Sequence, residues 1–391
     1  MITVAQALDA VLALGSPTEV EEVALSEADG RVLAQNAVAT RAQPPLSASA
    51  MDGYAVSVVN AQPGDRFKVI GEAAAGHGFD GAIANGEAVR IFTGAPLPEG
   101  GERIIIQEDV TREGDDIILG DNLDKGLHIR PAGGDFNIGD TVNAPKLLMP
   151  SDIALLASMN VAQVQVRRRP VVAIIATGDE LVSPGEAPGP DQIIASNNHG
   201  LAAMVRRAGA LARVLPIAKD TPSSLEMALS LAQSADMLIT IGGASVGDHD
   251  IVAQVAENKG LEREFYKVAM RPGKPLMAGK IDGMAMIGLP GNPVSSMVCG
   301  EIFLRPLIDT FLGLPSGPRA RVTRSLSQDL PANGPREHYM RAEIDAAGGI
   351  CGFGRQDSSL LSVLAAANAL IVRPPGDPAR KAGEVVEAIL L

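Results

Sequence analysis

Three short apolar runs, VVAIIA at 171–176, MLITI at 237–241 and MAMI at 284–287, each give way to a polar or glycine-rich stretch. Continuous aliphatic runs of this length predict strands buried on both faces. Between and after them, SNNHGLAAMVRRAGA, TPSSLEMALSLAQSA, DIVAQVAENKG and the segment from Pro293 to Phe311 carry helical spacing. Alternating strand and helix patterns predict a doubly wound α/β domain over residues 170–312. Its loops TGDEL, GGASVGDHD and GLPGNP would leave the carboxyl ends of neighbouring strands, where open parallel sheets bind ligands.

The flanks read differently. In TVAQALDAVLAL, Val4, Leu8, Val11 and Leu12 lie at helical spacing, and Thr3 with Gln6 predicts a capping box. Residues 44–136 are rich in glycine turns and short alternating runs such as RFKVI, AVRIF and ERIIIQ, which predict an inserted β domain. Within it Asp52-Gly53 and Thr93-Gly94 read locally as turns. IRPAGGDF, with Arg130 and Asp135, is followed by IGDTV, which suggests a hairpin, by SDIALLASM, a helix with Ser151 as N-cap, and by the strand VAQVQVRRRP. Residues 137–169 match neither neighbour, so they are grouped with 1–43 as a small mixed linking domain. Residues 313–391 predict a C-terminal, barrel-like β domain. The fold class is therefore multidomain α/β plus β.

Composition narrows the function. The 391 residues carry a formal net charge of −13, which argues against nucleic-acid and anionic-membrane surfaces. Aromatics make up 3% with no Trp, so the core must be aliphatic. No apolar run approaches a membrane span and the N-terminus lacks the basic start of a signal peptide; with two cysteines that form no disulfide framework, a reducing cytoplasm is expected. Cys299 and Cys351 give neither a disulfide framework nor a metal spacing and read as buried filler.

The candidate chemistry lies where the loops converge. Gly242-Gly243 can take positive φ, and the small-residue loop through Ser245 and Gly247 lets backbone N–H groups approach an oxyanion. Asp179, Glu180, Asp248, Asp250 and Asn292 would face one crevice, and carboxylates beside such a loop can hold magnesium. The loop lacks the Gly-Lys-Ser/Thr ending of a Walker motif, and Asp248 and Asp250 could equally cap the following helix. KVAMRPGKP supplies Lys267, Arg271 and Lys274 as local cations for an anionic substrate, or as a solvated basic loop.

SAMDGYAV, RIFTGAPLP, IRPAGGD, TGDEL, DQIIASN, GGASVGDHD, VAMRPGKP and LPGNPVS follow one another in this order. Together they resemble the molybdopterin molybdenumtransferase family, the last enzymes of molybdenum-cofactor synthesis, also found as the C-terminal part of gephyrin. The resemblance implies four domains and a homodimer whose active site joins the α/β domain of one subunit to the inserted domain of the other. It implies adenylylated molybdopterin and molybdate as substrates and Mg2+ as cofactor. It places functional positions on Asp52, Thr93, Arg130, Asp135, Glu180, Asp220, Asp250, Lys267, Arg271 and Ser358, with Asp52, Glu180 and Asp250 as metal candidates. Arg271 stands where some members carry lysine. Two other functions are carried along: molybdopterin adenylyltransferase, which shares the α/β domain and is also an expected partner, and a non-catalytic scaffold like gephyrin.

Overall fold

The computed structural model of the chain describes residues 1–242 and 251–391. Its largest domain is built on a six-stranded sheet in the order Leu211–Val214, Val171–Ala176, Met237–Ile241, Met284–Leu289, Pro275–Ile281, Glu262–Lys267. The first four strands are parallel and the last two antiparallel. The doubly wound core is as expected; the antiparallel edge is not legible locally, because Glu262–Lys267 reads EREFYK with only Phe265 buried. An edge strand needs little apolar surface and tolerates charge.

Alternation along the central strands feeds two cores. Val172, Ile174, Ile239 and Ile287 point to one face with Leu201 and Val205 of the helix Asn197–Arg207. Ala173, Ile175, Leu238 and Met286 point to the other, against the helices Pro222–Leu231 and Ile251–Asn258. Each fully buried aliphatic side chain stabilises the fold by about 1.5–3 kcal/mol before its entropy cost. The segment after Pro293 is helical to Phe311, with a π-helical stretch at Gly300–Leu304 between Pro293–Cys299 and Arg305–Phe311.

The N-terminal helix Val4–Leu12 has the expected capping box: Gln6 N donates to Thr3 Oγ1 at 3.2 Å and Thr3 N donates to Gln6 Oε1 at 3.0 Å. Its buried face, Val4, Ala7, Leu8 and Val11, enters the α/β core with Phe303 and Leu307 rather than joining residues 137–169. Those residues form a separate cluster in which Leu33, Phe136, Leu148, Leu156 and Val166 meet. Their helix runs Pro150–Ser158 with Met149, not Ser151, as N-cap; Pro150 suits the first turn and Asp152 accepts from Met149 N at 3.0 Å. IGDTV forms no hairpin, since Thr141–Val142 pairs with the distant Ala37–Val38.

The insertion holds a second six-stranded sheet, Arg103–Ile106, Gly53–Val56, Glu87–Ile91, Arg66–Ala73, Asp116–Leu119, Val110–Glu113. Gly53 opens a strand rather than a turn: a Cβ there would lie 2.1 Å from the Ile105 carbonyl oxygen, which only glycine permits. Thr93-Gly94 is a turn as expected, closed by Ala95 N donating to Phe92 O at 2.9 Å. The C-terminal sheet runs Met270–Arg271, Glu337–Ile344, Ala369–Arg373, Val385–Leu390, Val322–Ser325, and so borrows its first strand from the α/β domain. It also carries a short helix, Leu361–Ala366, where only strands were expected. Cys299 is buried, whereas Cys351 is partly exposed and so is not core filler.

Candidate active site

At the carboxyl ends of the parallel strands Val171–Ala176, Met237–Ile241 and Met284–Leu289 opens a cleft of about 640 Å³. Glu180, Asp220, Gly242 and Asn292 all line it, so the strand-end loops converge as their sequence positions require. Gly242 leaves its strand at φ +93°, and a Cβ there would meet the Thr177 carbonyl oxygen at 2.7 Å. Asn292, the N-cap of Pro293–Cys299, makes no side-chain cap bond to that helix among the described residues and lines the same cleft. Asn197 donates to Gly291 O at 2.7 Å and fixes that loop. Asn197 and Ser359 also line the cleft and were not singled out from the sequence. DQIIASN carried the signal for the first; the second comes from a loop more than 60 residues further along the chain than Asn292, with no local cue.

Asp220 is the carboxylate that the site perturbs. Partial burial, then the charges of Asp179 and Glu180, raise its pKa, and its backbone N–H donates to Asp179 Oδ1 at 3.3 Å. Mutually repelling carboxylates are relieved by a cation, and an all-oxygen donor set suits a hard one that keeps several waters, such as magnesium. The described residues contain no ready-made group of three metal-ligating side chains. Gly243, Ser245, Gly247, Asp248 and Asp250 lie outside the described residues.

A second constellation sits on the insertion. Asp52 Oδ1 accepts from Thr93 N and from Thr93 Oγ1, both at 2.8 Å. These two bonds, backbone first, and then the charge of Arg90 hold the carboxyl below the usual range. The guanidinium of Arg90 stacks 4.9 Å from the Tyr54 ring centre and 4.8 Å from that of Phe92, and donates to Gly53 O at 3.2 Å. Ala48–Ser49 joins this group to its neighbours: Gly94 N donates to Ser49 O at 2.9 Å, and Ile129–Arg130 pairs with Ala48–Ser49. Arg130 and Asp135 are both exposed. None of Asp52, Thr93, Arg130 or Asp135 lines the cleft of its own chain.

The basic loop divides. Lys274 is exposed and precedes Pro275, which lines the cleft, and its carbonyl accepts from Val268 N and Leu276 N, each at 3.1 Å. Lys267 lies 5.3 Å over the Tyr266 ring. Arg271 opens onto a separate cavity of about 460 Å³ on the C-terminal sheet. Ser358 O accepts from Val294 N at 3.0 Å, tying the C-terminal domain to the helix behind Asn292.

Residues 2–160 match the family described as MoeA N-terminal region (domain I and II), 173–310 a probable molybdopterin binding domain, and 323–391 the MoeA C-terminal region (domain IV). The chain is 35% identical to a molybdopterin molybdenumtransferase of Nostoc sp. over 97% of its own length and 90% of that protein's. It is 37% identical to one from Haemophilus influenzae over 80% of this chain and 78% of the other. Among solved structures, a molybdopterin biosynthesis MoeA protein from Pyrococcus horikoshii OT3 superposes with a TM-score of 0.86 at 25% identity, covering 100% of both chains.

Proposed function

The chain belongs to the molybdopterin molybdenumtransferase family of molybdenum-cofactor biosynthesis, and from that premise we propose that it inserts molybdenum from molybdate into adenylylated molybdopterin, with hydrolysis of the pyrophosphate link and release of AMP. The observation that carries this reading is the convergence of Glu180, Asp220, Gly242 and Asn292 on one strand-end cleft of about 640 Å³, a size that suits a nucleotide-bearing ligand.

Within that reading the residues divide the work. The N–H groups of the loop through Gly242, Gly243, Ser245 and Gly247, together with the Asn292 amide, seat the phosphates. Lys267, Arg271 and Lys274 offset the negative field of the chain, and Ser358 holds the C-terminal domain against the site. Asp220, whose carboxyl keeps its proton to higher pH than an ordinary aspartate, moves a proton at the phosphoryl group. Glu180 and Asp250, with Asp52 reaching in from a second copy of the chain, are suited to hold magnesium. When bound, that ion screens the pyrophosphate and polarises a phosphoryl oxygen. Thr93 orients Asp52, while Arg130 and Asp135 complete the second copy's wall.

The active unit is thus a homodimer working in the cytoplasm, supplied by an adenylyltransferase. Among the described residues no helix is long and apolar enough to cross a membrane. The test is direct binding of adenylylated molybdopterin in the presence of magnesium. Glu180→Gln should weaken binding by roughly tenfold or more while the melting temperature stays unchanged, because Glu180 is exposed. Unaltered affinity would remove Glu180 from the site.

A further inference from the structure

Arg90 stands in register with Tyr54 on the neighbouring strand of the inserted sheet, and Phe92 follows it two residues later. In-register neighbours and residues two apart share a face, so the register and the run RIF together set one guanidinium against two rings. It lies 4.9 Å from the ring centre of Tyr54 and 4.8 Å from that of Phe92. Tyr54 is itself packed in the core of the insertion, which makes it a fixed platform. Among the described residues Arg90 has no ion pair, so no acid dictates where its charge sits.

The anchored guanidinium grips the chain around Asp52. Nη1 donates to Gly53 O at 3.2 Å and Nη2 to Gln107 Oε1 at 2.6 Å. Gln107 in turn donates its backbone N–H to Asp52 O at 3.1 Å. Asp52 is therefore held at its carboxylate by Thr93 and along its main chain through Gly53 and Gln107. Gly53 has no room to move toward the next strand, since even a Cβ there would lie 2.1 Å from Ile105 O. Reaching two acceptors from two strands at once needs the rigid planar fork of arginine, which a lysine ammonium lacks.

We infer that Arg90 is a positioning residue for Asp52: locked between Tyr54 and Phe92, it ties Gly53 to Gln107 and so fixes the direction in which the Asp52 carboxylate leaves the insertion. Arg90 touches no reacting atom in this role and acts only through Asp52. That the carboxylate then serves a magnesium or phosphoryl centre rests on the function proposed above; the positioning does not. A role confined to stabilising the inserted sheet predicts different results.

Hydrogen exchange of the full chain without substrate tests the positioning. The amides of Thr93 and Gln107 report the bonds to Asp52 Oδ1 and Asp52 O. Arg90→Lys keeps the charge and loses the fork, so exchange at these two amides should quicken roughly tenfold, while amides in the middle of Gly53–Val56 and Glu87–Ile91 and the melting temperature hold. Gln107→Ala, at an exposed position, removes one acceptor and should quicken Thr93 in the same direction even if Arg90→Lys does not fold. Unchanged exchange at Thr93, or equal acceleration across the whole sheet, would overturn the proposal.

Turnover tests whether the effect passes through Asp52. Arg90→Lys should lower kcat about tenfold with KM within about twofold, because the misdirected group is one needed in the transition state. Added to Asp52→Ala it should cost nothing further, since nothing is left to position. A second tenfold loss in the double variant would overturn the proposal. Turnover indifferent to Asp52→Ala would instead count against the function proposed above, and the exchange measurement would still decide the positioning.

Discussion

Asp52 and Thr93, 41 residues apart, are joined by two hydrogen bonds of 2.8 Å to the same carboxylate oxygen, one from the backbone and one from the hydroxyl. Both donors favour the ionised form, so Asp52 is kept charged and fixed in orientation on the surface of the insertion. A carboxylate held in this way, away from the cleft of its own chain, makes sense as a group offered to another subunit.

The first prediction follows from that pair. Thr93→Ala removes the hydroxyl donor and leaves the backbone one, so Asp52 stays in place but its pKa rises toward the ordinary value. The acid limb of the pH profile of kcat/KM should move to higher pH, with a loss of about tenfold at low pH and little at high pH. A profile that keeps its shape would mean that Asp52 does not titrate in the reaction.

The proposed sharing of each site between two subunits predicts complementation. Mixed dimers of an Asp52→Ala chain and a Glu180→Ala chain hold one site with both residues intact, so random mixing of two inactive proteins should recover roughly a quarter of the unaltered activity. Verified mixed dimers with no activity would show that Asp52 and Glu180 serve the same chain.

His338 predicts an acid-sensitive fold. Its pKa is lowered from 6.5 to about 3 in the folded chain, so below 6.5 the unfolded chain binds the proton that the folded chain refuses. The sign is therefore loss of stability as pH falls from 6.5 toward 3, by at most a few kcal/mol. His338→Gln should flatten that part of a melting-temperature profile. An equally steep acid limb in the variant would place the titrating group elsewhere.

These predictions draw unequally on what could be read from the sequence. The strand-end loops were legible because buried parallel strands are short aliphatic runs and glycine-rich loops follow them directly, as at Gly242 and Asn292. Asp52 looked like a turn residue because its partner is Thr93, and no local pattern encodes a hydrogen bond across the inserted sheet. The alignment of Arg271, His338 and Arg373, in register on three neighbouring strands of the C-terminal sheet, was invisible for a related reason. Strand register brings together residues from two domains, and each alone resembles a solvated charge. Pro150 shifted a helix start that Ser151 suggested, and the polar run EREFYK concealed an edge strand that needs only Phe265 in the core.

The order of events at the cleft can be read from a single reaction mixture. Adenylylated molybdopterin, magnesium and the protein are combined with and without molybdate, and AMP is followed alongside activation of a molybdenum-requiring apoenzyme. Cleaving the pyrophosphate before molybdenum arrives would discard the activated intermediate, so AMP should appear chiefly with molybdate and in step with active cofactor. An adenylyltransferase would instead make the adenylylated species from ATP and free molybdopterin, and a scaffold would do neither. AMP release indifferent to molybdate, or formation of the adenylylated species from ATP, would contradict the account.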